Sequence, residues 1–123
     1  VLAKFNAIFV EIKGENMYIP DEWMLIEIKG TDPHFRVFGS WRGGYGIGDS
    51  WRMNSGIIKV TEDEDHFFFH GFTGSVYQCH KGTYGVSSAH NAGVIQSLAS
   101  RSDDTLIILY DKPDVFKIDW IIK

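Results

Sequence analysis

The chain has 123 residues, of which 44% are hydrophobic and 23% charged, with a formal net charge of −4. That length suits one domain over residues 1–123, and the balance excludes a disordered chain, which needs few apolar residues and a large net charge. It also excludes a membrane-spanning helix, which needs about 20 continuous apolar residues, and a general nucleic-acid binder, which carries a basic face. The aromatic content is high, with nine Phe, five Tyr and four Trp.

The dominant hydrophobic period is two, broken by turn signals, which predicts an α+β domain of mostly antiparallel sheet with about seven strands and one main helix. Residues 2–12 alternate and read as a first strand. The Lys13-Gly14-Glu15 run ahead of Met17 is encodable by a purine-rich, ribosome-recruiting stretch. A bacterial start at Met17 is therefore expected, with residues 1–16 as an N-terminal extension strand. A GTG start or a trimmed tag is the plain alternative, and a native mass that includes residues 1–16 would exclude the Met17 start.

Residues 23–29 place Met24, Ile26 and Ile28 on one face of a second strand. Gly30-Thr31-Asp32-Pro33 turns the chain. Residues 35–41 return with Phe35, Val37 and Trp41 on one face and Arg36, Phe38 and Ser40 on the other. Residues 43–50 form a glycine-rich loop. Residues 57–61 make a strand, Glu62 to Asp65 an acidic turn, and residues 66–72 and 75–80 an aromatic hairpin about Thr73-Gly74. In that hairpin His70 is expected opposite Tyr77.

The helix is expected over 88–100, capped by Ser87 or Ser88, with an apolar stripe of Ala92, Ile95, Leu98 and Ala99. Residues 106–110 read as a buried strand. Residues 115–122 read as a last strand with Phe116, Ile118, Trp120 and Ile122 on one face. Phe67, Phe69, Phe116 and Trp120 are expected in the sheet core.

One local echo stands out: Ser40-Trp41-Arg42 recurs as Ser50-Trp51-Arg52 across a glycine-rich loop. Its period is too short for a structural repeat, but it gathers Arg36, Trp41, Arg42, Tyr45, Trp51 and Arg52. Arginine offers planar donors to carboxylate or phosphate and stacks on aromatic rings, and glycine lets a backbone approach a ligand closely. These six residues are the candidate ligand-binding set, for a small anionic or aromatic ligand or a protein partner. The same surface serves equally a structural protein that associates with copies of itself, because Trp, Tyr and Arg are favoured at interface hot spots. The glycines match neither a dinucleotide fingerprint nor a phosphate loop, since no helix follows and no Gly-Lys-Ser/Thr is present.

Catalysis is the third reading. Cys79 with His90, or Ser87 or Ser88 with His90, would give a small hydrolase a nucleophile and a base, but no nucleophile-elbow motif occurs. No metal or cofactor is expected. His66 and His70 lie four apart in a strand, about 13 Å along it, too far to share one ion. Cys79, the only cysteine, forms no intramolecular disulfide. With no signal-peptide pattern at residues 1–12, a cytoplasmic protein is expected.

Overall fold

The computed structural model describes residues 17–43, 49–101, 103 and 105–118. Eight strands and one helix follow in chain order. The strands are β1 (Met17–Tyr18), β2 (Glu22–Ile28), β3 (His34–Trp41), β4 (Ser50–Met53), β5 (Ile57–Glu62), β6 (His66–Gly71) and β7 (Val76–His80), then helix α1 (Ala89–Ser100) and β8 (Leu106–Leu109). They form two four-stranded sheets, ordered β1-β7-β6-β5 and β4-β3-β2-β8. Every pairing is antiparallel except the two-residue β1–β7 pair. The result is the expected α+β class with antiparallel sheet.

The alternation along β2 explains the layering. Trp23 and Leu25 point to the other sheet, where they join Val37, Val60, Phe67, Phe69, Tyr77 and Cys79 in one core. Met24 and Ile26 point the opposite way and pack with Phe38 on Ile95 of the helix. All four β2 side chains are buried, so a strand between two cores reads as a nearly continuous apolar run. The β2–β3 hairpin falls in the expected phase, with Leu25 opposite Val37 and Ile26 opposite Arg36.

Three expectations change. Residues 115–118 are not a strand: Val115–Lys117 is a single 3₁₀ turn. The Asp114 carboxylate accepts the Phe116 N–H at 3.2 Å, and the Asp114 carbonyl accepts the Lys117 N–H at 2.9 Å. These local bonds satisfy a backbone that a ladder would otherwise pair. Val115 is still buried, and Phe116 and Ile118 pack against the inter-sheet core; Trp120 and Ile122 lie outside the described residues.

His70 faces Val76, and Phe69 faces Tyr77. The Gly71 N–H donates to the Ser75 carbonyl and makes a three-residue loop, with Gly74 at φ +98°, which fixes the register one residue from the expected one. The helix buries Asn91 and Ile95, with Val94 and Leu98 packed alongside, so a polar residue occupies part of its inner face. The expected first strand, residues 2–12, lies outside the described residues.

Candidate functional site

The Ser-Trp-Arg echo is a strand pair. Ser40 lies opposite Trp51, and Trp41 opposite Ser50, across β3 and β4. Opposed residues share a face and neighbours alternate, so this register sends the two tryptophans to opposite sides of the sheet. Trp51 lies on the helix side, stacked on Phe38 with ring centroids 5.4 Å apart. Trp41 lies on the other side, and its indole N–H donates to the Ile19 carbonyl at 2.9 Å.

The arginines separate in the same way. Arg36, half-buried on the helix side, donates through Nε to His34 Nε2 at 2.9 Å. Arg42 reaches the Ser87 carbonyl through Nε and Nη2, at 3.1 and 2.6 Å. Arg52, opposite Gly39 on the inter-sheet side, lies over the Tyr18 ring with Cζ 4.4 Å from its centroid. Tyr45 lies outside the described residues. The five described candidates therefore do not line one pocket; Trp51 and Arg52 are neighbours that face opposite ways from one edge strand.

The start of the helix holds the base of the glycine-rich loop. The Ser88 hydroxyl accepts the Asn91 N–H at 3.1 Å and caps α1. The fully buried Asn91 amide donates to the Ser50 carbonyl at 3.0 Å and to Ser87 Oγ at 3.2 Å. Across the loop, Asp49 accepts the Gly43 N–H at 2.8 Å. That bond and one from Ser88 hold the Asp49 carboxyl below the usual carboxylate range; slight desolvation opposes them, and His90 and Arg42 add attraction. Replacing Asn91 with Ala is expected to cost about 1–3 kcal/mol, because the Ser50 carbonyl and the buried Ser87 hydroxyl lose a donor. Hydrogen exchange should show faster exchange at residues 49–51; unchanged protection there would contradict this anchoring role.

Between Trp51 and one flank of α1 runs a shallow, open groove of about 460 Å³. Trp51 forms one wall, and Val94 and Leu98 supply the apolar floor. Gly93 leaves the middle clear, since a Cβ there would meet nothing within 4 Å. His90 and Arg101 stand at the two ends, about 16 Å apart at 1.5 Å per helical residue. None of these helix residues belongs to the set chosen from sequence. In the sequence His90 stands out as a candidate base and Leu98 as part of the apolar stripe, but nothing there ties either to Trp51.

The groove adjoins an open sheet edge. Among the described residues no strand pairs with the outer side of β4. The Asn54 N–H donates to the Val37 carbonyl at 3.1 Å, so residues 54, 52 and 50 direct their backbone groups towards β3. Trp51 and Met53 direct theirs outward. Two of the other edges are less suited to pairing. β1 has two residues. β5 carries a bulge between Ile57 and Lys59, a device that disfavours edge pairing. β8, the remaining edge, is a half-buried run of four apolar residues.

Cys79 and His90 do not converge, because they belong to different sides of the β2-containing sheet. Cys79 is buried between the sheets, and burial pushes its thiol up, which suppresses the reactive thiolate. His90 stands on the exposed first turn of a helix that packs against the other side of the central sheet. The Ser88 hydroxyl bonds Asp49, the carboxylate that His90 also attracts, and it accepts the Asn91 N–H as the helix cap. His66 faces His80 across β6 and β7, their rings edge to face at 5.3 Å. Asp63 is partly desolvated, which raises its carboxyl, but the N–H groups of Asp65 and His66 and the His66 ring outweigh this and lower it. Among the described residues no group of three or more His, Cys, Asp or Glu is placed to hold a metal, and no helix is long and apolar enough to cross a membrane. No protein-family model, curated protein or solved structure matches the chain.

Proposed function

We propose that this chain is a non-catalytic binding module that takes an extended segment of a partner protein along β4, with one side chain of that segment against Trp51. The observation that carries this reading is Trp51 itself. It is 39% exposed, stacked on the buried Phe38, and placed where an open strand edge meets a groove. Strand addition draws affinity from backbone hydrogen bonds and specificity from pockets for alternate side chains, and both parts are present here. A small-molecule site usually encloses 70–90% of its ligand, whereas this groove is shallow and about as long as five extended residues.

The test is titration of the isotope-labelled chain with short extended peptides, followed by amide chemical shifts. Shifts at Trp51 and Met53 are expected, and Trp51→Ala should weaken binding about tenfold or more, as for an aromatic hot spot. Peptides that bind elsewhere, or with affinity indifferent to Trp51→Ala, would overturn the reading. A response confined to nucleotides or other aromatic anions, centred on His90 and Arg101, would place a small ligand in the groove instead.

A further inference from the structure

The register of β4 also limits what can pair with it. Three consecutive side chains, Trp51, Arg52 and Met53, meet an incoming strand. Trp51 and Met53 face the helix side and Arg52 faces the other. Trp51 and Met53 supply the outward N–H and C=O groups. In antiparallel addition, a partner residue opposite Arg52 therefore sits at a position without direct backbone bonds, where opposed side chains approach most closely.

Arg52 is prepared for an anion. Its guanidinium lies over the Tyr18 ring, and Tyr18 packs on the buried Tyr77 with ring centroids 5.1 Å apart. A guanidinium presents its N–H donors in a planar fork that matches a carboxylate. Among the described residues no carboxylate forms an ion pair with it.

Resting on the strand-addition reading above, we propose that the segment taken by β4 is an extended stretch of a partner protein with an acidic residue at its centre. That residue lies opposite Arg52, and two apolar residues flank it opposite Trp51 and Met53. A second copy of this chain is disfavoured by the same register. Pairing β4 with itself about Arg52 would set Trp51 opposite Met53, which is acceptable, but Arg52 opposite Arg52, and like charges directly opposed destabilise a sheet.

The test uses two capped nine-residue peptides in a Thr/Ser background, one centred on Val-Glu-Val and the other on Val-Lys-Val. With the full chain, the Glu peptide is expected to bind about fivefold tighter or more, and the preference should shrink as salt is raised. Arg52→Glu should reverse the preference, and Arg52→Gln should abolish it without reversal, so a folding defect in one variant does not decide the matter. Equal binding of both peptides at β4 would overturn the acidic assignment and leave strand addition standing. Shifts at β4 with neither peptide would overturn strand addition and this assignment with it. A dimer that loses its association on Trp51→Ala would make a second copy the occupant and overturn the proposal.

Discussion

Trp23→Ala is expected to lower the stability of this protein by about 3–5 kcal/mol, the range for removing a large aromatic side chain from a core. Trp23 is wholly buried and joins the two sheets. Its ring meets Phe67 and Phe69 of β6 at 6.0 and 5.3 Å, and Tyr84 edge-on at 4.8 Å. Its indole N–H donates to the His80 carbonyl at 2.7 Å. Its backbone is bound at both ends to the segment that follows β7, by N–H to the Thr83 carbonyl and by carbonyl to the Gly85 N–H. Alanine would keep the backbone bonds and lose the ring, so the cost is mainly apolar transfer plus the cavity left behind. Trp23→Phe separates the contributions. The His80 carbonyl also accepts the Thr83 N–H and hydroxyl, so it is not orphaned, and the phenylalanine variant is expected to lose about 1–2 kcal/mol. Urea unfolding of the three proteins tests the order. An alanine variant as stable as the parent would show that Trp23 does not hold the sheets together.

The sequence displays this architecture wherever one local rule governs. Alternation in β2 and β3 assigns Leu25 and Val37 to one side and Ile26 and Phe38 to the other, and those sides are the two cores. Ser88 marks the start of the helix because a hydroxyl before an apolar periodic run is a cap. Local rules fail where two signals compete. Residues 115–118 alternate like a strand, but Pro113 and Asp114 favour a turn, and the capping carboxylate prevails. The His70 register depended on one loop residue, which pattern alone does not count.

The candidate site was half legible for a related reason. Composition along residues 36–52 pointed to Trp51 and Arg52, which do flank the open edge. It also grouped Trp41 and Arg42 with them, because proximity in sequence does not reveal face. Once Ser40 pairs with Trp51, the two halves of the echo must diverge. The helix wall of the groove lies about 40–50 residues further along the chain, and only the tertiary packing of α1 on β3 and β4 brings it there. Its buried partner Asn91 resembles a surface residue in sequence, and its role comes from carbonyls supplied by another segment.

Tyr84→Phe is expected to cost about 2–3 kcal/mol at neutral pH, although it removes a single oxygen. The Tyr84 hydroxyl sits within the β2–β8 seam. It accepts the Leu25 N–H at 3.0 Å and donates to the Leu109 carbonyl at 2.5 Å, two residues that face each other in the ladder. Phenylalanine would leave both backbone groups without that partner, at about 1–3 kcal/mol for each buried group that stays unsatisfied. The alkaline limb provides a second signature. Burial, with help from Asp111, pushes the Tyr84 hydroxyl up to about 12 against the opposing Leu25 hydrogen bond, whereas an unfolded tyrosine titrates near 10. Between those values the unfolded chain has released a proton that the folded chain keeps, so stability falls as pH rises. The contribution is fully present below about pH 10 and is lost as pH rises through about 12. Tyr77, raised in the same direction by burial, leaves the variant some alkaline slope of its own. The stability difference between parent and Tyr84→Phe, measured by urea unfolding, should therefore be widest near pH 8 and narrow steadily above pH 10. A difference that stays constant to pH 11.5 would mean that the hydroxyl is not held protonated in the seam.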